Sequence, residues 1–92
     1  GEVEILGLYT IGDTLQLALV HQPQGYVLLV DDGTAAAVLK TFETTTAPHF
    51  TLSPEASLGY KTLYLARVGA WQGILSVQNN QVTLQAEVVD AT

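Results

Sequence analysis

The chain has 92 residues, with nine acidic side chains against three basic ones for a net charge of -6, so it lacks the basic patch that nucleic acid requires of a partner. It contains no cysteine, which excludes a disulfide framework and a thiolate metal site and leaves the redox compartment open. Charged residues are 13% and hydrophobic ones 48%: half the usual charge, roughly, predicts a neutral polar surface suited to an assembly, and the apolar content supports one domain over residues 1–92.

No apolar run approaches the roughly 18 residues that cross a bilayer. A membrane link is therefore expected only through flanking segments. The opening Gly1, in a chain with no methionine, reads as the product of a cleavage, a module of something longer.

The segment 3–11 is rich in β-branched and aromatic residues and ends at Gly12-Asp13, a turn signal, so it is predicted as the first strand. From Thr14 to Val20, Leu15, Leu17 and Leu19 alternate with Gln16 and Ala18, the period of two of a half-buried strand. "HQPQG" breaks that run at Pro23 and Gly25. Tyr26 to Val30 is the next strand, closed by Asp31-Asp32-Gly33. Thr34 to Phe42 has three alanines that favour helix, while Val38, Thr41 and Phe42 favour strand. Nine residues are short for a helix, so a strand is predicted.

Residues 43–59, "ETTTAPHFTLSPEASLG", hold two prolines among threonines and serines. They read as the longest and most mobile connection, with one short strand around Phe50 to Leu52. Tyr60 to Val68 is a strand with mixed faces, Tyr60, Thr62 and Tyr64 on one side and Lys61, Leu63, Leu65 and Arg67 on the other. "GAWQG" reads as a bend in which Gly69 and Gly73 flank Trp71. Ile74 to Val77 and Val82 to Val89 are predicted strands joined by a tight hairpin at Asn79-Asn80, which tolerate the left-handed region. No internal repeat is visible. The fold class is all-β, with six to eight short antiparallel strands in a small, partly open β-barrel or a two-sheet β-sandwich; the barrel is favoured.

Asp31-Asp32-Gly33 carries the Asp-Gly signature of a turn. A calcium loop would need alternating oxygen ligands where Ala35, Ala36 and Ala37 stand. His21 and His49 are the only histidines, each within two residues of a proline in a predicted loop, and no short spacing supplies further zinc ligands. Ser53, Ser57 and Ser76 lack any nucleophile turn. No catalytic, cofactor or metal residue is therefore nominated, and an enzyme is not expected. Trp71 with Tyr9, Tyr26, Tyr60 and Tyr64 offers either an aromatic platform for sugars or the wet-tipped aromatics of a small barrel.

The C-terminal third, "VGAWQGILSVQNNQVTLQAEVVD", leads from a bend with two glycines through a strand and a polar hairpin to a strand of V-x-L-x-x-E type, on Gly69, Gly73, Val77, Val82, Leu84 and Glu87. It resembles the closing pattern of the PilP periplasmic domain of type IV pilus machines and the homology region of the type II secretion component GspC. "LGLYTIGDTLQLALV", residues 6–20, resembles the opening hairpin of the same domains. The resemblance implies a small β-sandwich or half-barrel in the periplasm that docks on a secretin, without catalysis.

Two functions are expected. The first is a protein–protein interaction domain of an envelope assembly, in the periplasm or outside the cell, docking by an edge strand at Val82, Thr83, Leu84, Gln85 and Glu87 or at the neighbouring Ile74 to Val77. Between residues 68 and 89 there is no lysine or proline to blunt such an edge. The second is a carbohydrate or cell-surface ligand module using Trp71, Tyr60 and Tyr64.

Overall fold

The computed structural model describes residues 4–90; Gly1 and Val3, the start of the first predicted strand, lie outside them. Among the described residues there are eight strands and no helix: β1 (Glu4–Ile11), β2 (Leu15–Gln22), β3 (Gly25–Asp31), β4 (Ala36–Phe42), β5 (Phe50–Ser57), β6 (Thr62–Val68), β7 (Trp71–Gln78) and β8 (Gln81–Val88). They form two antiparallel four-stranded meanders, β1-β2-β3-β4 and β5-β6-β7-β8, neither closed on itself. The all-β expectation holds in its two-sheet form and the favoured barrel does not, because every strand pairs only with its neighbours in sequence and each sheet keeps two free edges. Two compact units result, Gly1–Ala47 and Pro48–Thr92.

In the first unit, Leu17 pairs with Val30 and Leu19 with Leu28, while Ala18 pairs with Leu29 and Val20 with Val27. Opposite residues share a face and adjacent residues alternate. One face therefore carries Leu15, Leu17, Leu19 and Leu28, each at most 2% exposed, and the other carries Ala18, Val20 and Val27 at 5%. The period of two in "LQLAL" marked the first of these faces correctly. It missed the second, because alanine and valine at alternate positions read as the wet side of a half-buried strand.

The second unit is built around Ala66, Val68, Trp71 and Leu75, all buried. Its hairpin at Asn79 and Asn80, with φ of 52° and 59°, has the two left-handed residues that match the twist of a two-residue turn. Residues 34–42 form β4 and not a helix, paired along β3.

Four expectations are corrected here. The long connection predicted over 43–59 is broken by a full strand, Phe50–Ser57, leaving 43–49 before it and 58–61 after it. Pro54 is tolerated there because β5 is an edge strand and its ladder shifts register between Pro54 and Ala56, a bulge at which a missing N–H costs nothing. Tyr60 falls in the connection before β6, where the Leu58 N–H donates to Lys61 O at 2.8 Å. The turn in "GAWQG" is Gly69-Ala70 alone, and Trp71 and Gly73 both belong to β7. Finally, β7 lies between β6 and β8, so Ile74 to Val77 is not an edge; its N–H groups are taken on both sides.

The two units also repeat one plan. Their strands begin at 4, 15, 25 and 36 and again at 50, 62, 71 and 81. Strand order, direction and a bulge in the first and last pairings recur. The repeat is one of topology, which a sheet preserves while its side chains change freely, so residue identities carried no trace of it.

Candidate interaction site

The predicted docking residues lie on β8, an edge of the second sheet. Val82 pairs with Val77, Thr83 with Ser76 and Leu84 with Leu75; the register then shifts so that Ala86 meets Ile74 and Glu87 meets Gly73. Gln85 is thus the extra residue of a bulge. Val82 and Leu84 are half-buried, whereas Thr83, Gln85 and Glu87 are exposed. Gln81–Leu84 is the regular stretch on which a further strand can pair in register. The bulge kinks the ladder beyond it.

The other edge strands are differently defended. Lys40 stands on β4, Pro54 and Glu55 on β5, and an exposed Glu4 opens β1. On β8 the one charged residue, Glu87, is turned to Trp71, whose indole N–H donates to Glu87 Oε1 at 2.8 Å. Charges and prolines are the usual blocks to strand addition, and β8 presents neither along its outer ladder from Gln81 to Leu84.

Trp71 and Tyr60 are not brought together. Trp71 is only 5% exposed and lies across Gly73, where an added Cβ would stand 2.6 Å from Trp71 Cζ2 and 3.0 Å from Leu84 Cδ1. The predicted bend glycine is in fact the floor beneath the ring. Trp71 pairs with Val68 at one end of β6, whereas Tyr60 precedes Thr62 at the other, roughly 20 Å away along the strand. Tyr60 is 68% exposed, with Lys61 Nζ 5.8 Å from its ring centroid. Tyr64 is half-buried in mid-strand. The buried indole and Tyr60 therefore share no stacking surface, whereas Tyr64, paired with Leu75, lies on the Trp71 face two pairs further along the strands.

The aspartates build a turn. Gly33 N–H donates to Asp31 Oδ1 at 2.7 Å, and Thr34 and Ala35 N–H both donate to Asp32 Oδ1, at 2.8 and 2.9 Å. These backbone donors, Ala35 first and then Thr34, hold the Asp32 carboxyl below its ordinary value, because they stabilise its charged form.

His21 is on β2 and not in a loop; it is exposed and stacks on Tyr26 with centroids 4.6 Å apart and planes 16° from parallel. It lines an open cleft of about 550 Å³ with Pro23, Gln24, Gly25, Glu43 and Thr44. One carboxylate and one imidazole there make no recognisable set for catalysis or metal binding. His49 is exposed, and its carbonyl accepts from Gly69 N–H at 2.9 Å.

No protein-family model, curated protein or solved structure matches the chain.

Proposed function

We propose that this chain is a non-catalytic protein–protein interaction domain of a bacterial cell-envelope assembly, of the type IV pilus or type II secretion kind, located in the periplasm or outside the cell and docking through the β8 edge. The observation that carries the reading is the β8 edge itself: a regular stretch, Gln81–Leu84, with a neighbour on one side only and no lysine, arginine or proline along it. The PilP-like and GspC-like pattern of residues 68–90 supports the choice of assembly.

Docking by strand addition uses backbone N–H and C=O groups, so it needs no particular side chain on this chain. Specificity comes from alternate residues. Val82 and Leu84 lie on the Trp71 face and Gln81 and Thr83 on the other, so a partner strand apolar at every second position matches the edge. With a net charge of -6, the chain steers a neutral or basic segment toward itself better than an acidic one.

Proline substitutions at adjacent positions test the geometry. In an antiparallel edge strand, N–H groups point alternately to the neighbour and to solvent. Of Thr83→Pro and Leu84→Pro, one should therefore leave the domain folded, and that one should abolish docking. Photo-cross-linkers at Thr83 and Gln85 in the native envelope should capture the same pilus or secretion component from both positions. Capture of glycan only, or of nothing, defeats the reading, as does undiminished capture by the folded proline variant.

A further inference from the structure

Strand β1 is an edge guarded at its start alone. It has a neighbour on one side only, and its ladder to β2 is regular from Gly7 to Ile11, with a register shift between Ile5 and Gly7. The regular stretch holds no charge and no proline, the usual blocks to strand addition; Glu4 lies beyond the shift. On β4 the stretch ahead of the shift covers only 36–38, with Lys40 just past it, and on β5 Pro54 and Glu55 sit at the bulge.

Two apolar rows of the first sheet stop at β1. Leu8 pairs with Ala18 and Ala18 with Leu29; Ile5 pairs with Val20 and Val20 with Val27. The inner members are covered, with Ala18, Val20 and Val27 each 5% exposed and Leu29 packed against them, whereas Leu8 is 52% and Ile5 56% exposed. Cross-strand neighbours supply that cover, and β1 lacks one on its outer side. Acidic residues bracket the stretch: exposed Glu4 stands at one end and exposed Asp13 past the other, about 30 Å apart along a strand.

We propose that the β1 edge takes an extended segment of a different protein by strand addition, a segment uncharged in its middle and carrying a lysine or arginine at each end. Its backbone completes the ladder over 7–11, its aliphatic side chains extend the rows past Leu8 and Ile5, and its terminal cations meet Glu4 and Asp13. The site is separate from the β8 edge and stands or falls without it.

Charge rules out a second copy as the occupant. Two β1 strands paired over 7–11 bring Glu4 of each copy beside Asp13 of the other when antiparallel, and like beside like when parallel, so carboxylates oppose at both ends either way. No strand of this chain offers basic ends instead. Lys61 and Arg67 belong to the stretch around β6, which is paired on both sides, and Lys40 stands alone on β4.

Amide exchange of the 92-residue chain, followed by NMR with a capped nonapeptide, tests the assignment. The probe is seven alternating threonines and valines between two lysines, and its counterpart carries glutamates at both ends. At about 1 mM peptide, those amides of 7–11 that face away from β2 should exchange more slowly and the Leu8 methyl resonances should shift, with the lysine-ended peptide bound about tenfold more tightly than the other. Glu4→Lys with Asp13→Lys should reverse that preference; the change moves the net charge by four units from -6, to -2, so the reversal reports the bracket and not the whole molecule. Glu4→Gln with Asp13→Asn is the milder pair and should erase the preference. Thr10→Lys, a charge placed within the neutral stretch at an exposed position, should abolish binding of the lysine-ended peptide with the circular dichroism unchanged.

Absence of protection over 7–11 at that concentration overturns the proposal, as does a preference that survives both charge changes. Protection confined to 81–84 overturns it while leaving the β8 reading in place. Protection of 7–11 that grows with protein concentration and needs no peptide assigns the edge to a second copy, and overturns it too.

Discussion

Trp71 opens β7 and Glu87 lies next to last in β8, yet the indole N–H of Trp71 donates to Glu87 Oε1 at 2.8 Å. The register explains the reach. Gly73 is the residue paired with Glu87, and because it has no side chain the indole folds forward over it and delivers its N–H to the carboxylate on the next strand. One glycine, one indole and one carboxylate thus tie the edge strand to its neighbour on the far side of the Gln85 bulge.

Removing the acceptor should expose the cost of an unpaired indole. Glu87→Leu is expected to lose about 1–3 kcal/mol, the penalty for leaving a desolvated donor without a partner. Glu87→Gln retains an oxygen at the same reach and should lose less. Urea unfolding followed by Trp71 fluorescence reads both, and equal stability for the two variants would show that the hydrogen bond contributes nothing.

Gly73→Ala should destabilise the fold although alanine is the better strand residue. Relief of glycine's backbone entropy favours the alanine by roughly 0.5–1 kcal/mol. Forcing a methyl against the indole opposes it by about 1–3 kcal/mol, because Trp71 is pinned at both its packing and its N–H. A red-shifted indole emission should accompany the loss. An unchanged spectrum with gained stability would mean that the ring moves aside freely.

Gly25 is the stricter position. It has φ +144°, and a Cβ there would lie 3.2 Å from Phe42 C and 3.3 Å from Glu43 Cα, with Phe42 O closer still. The neighbours are backbone, so no side-chain rotation relieves the contact. Gly25→Ala is expected to cost about 2 kcal/mol or more, from left-handed strain and overpacking together. Thermal unfolding at matched concentration measures it; a melting temperature within a degree of wild type would contradict the β3–β4 closure.

Asp32 adds a pH dependence of known sign. Its carboxyl titrates below the ordinary value of 3.8 because Ala35 and Thr34 donate to it, so its contribution is complete above that value and is lost as pH falls through the lower, folded-state value. Asp32→Asn keeps an oxygen for the turn but does not titrate. Its stability should match wild type near neutral pH and should lack this component of the acid-side decline. Identical acid limbs for the two proteins would remove Asp32 from the account.

The strands of the first sheet, the Asp32 turn and the Asn79-Asn80 hairpin were legible in the sequence, because each follows from neighbours a few residues apart: alternation in "LQLAL", an Asp-Gly pair, two asparagines between apolar runs; the extent of β5 and the start of β7 were not. Long-range pairing made the remaining decisions. Whether Pro54 interrupts a strand or sits at its bulge depends on β5 being an edge. Whether Gly73 bends the chain or floors a tryptophan depends on what lies above it. Of Ile74 to Val77 and Val82 to Val89, only the second is an edge, a fact of strand order that no local pattern encodes. The apolar rows through Ala18 and Val20 exist as a surface only once four strands are in register. Hydrogen-bond ladders fix which residues share a face, and a chain of alternating apolar and polar residues is compatible with many ladders until tertiary packing selects one.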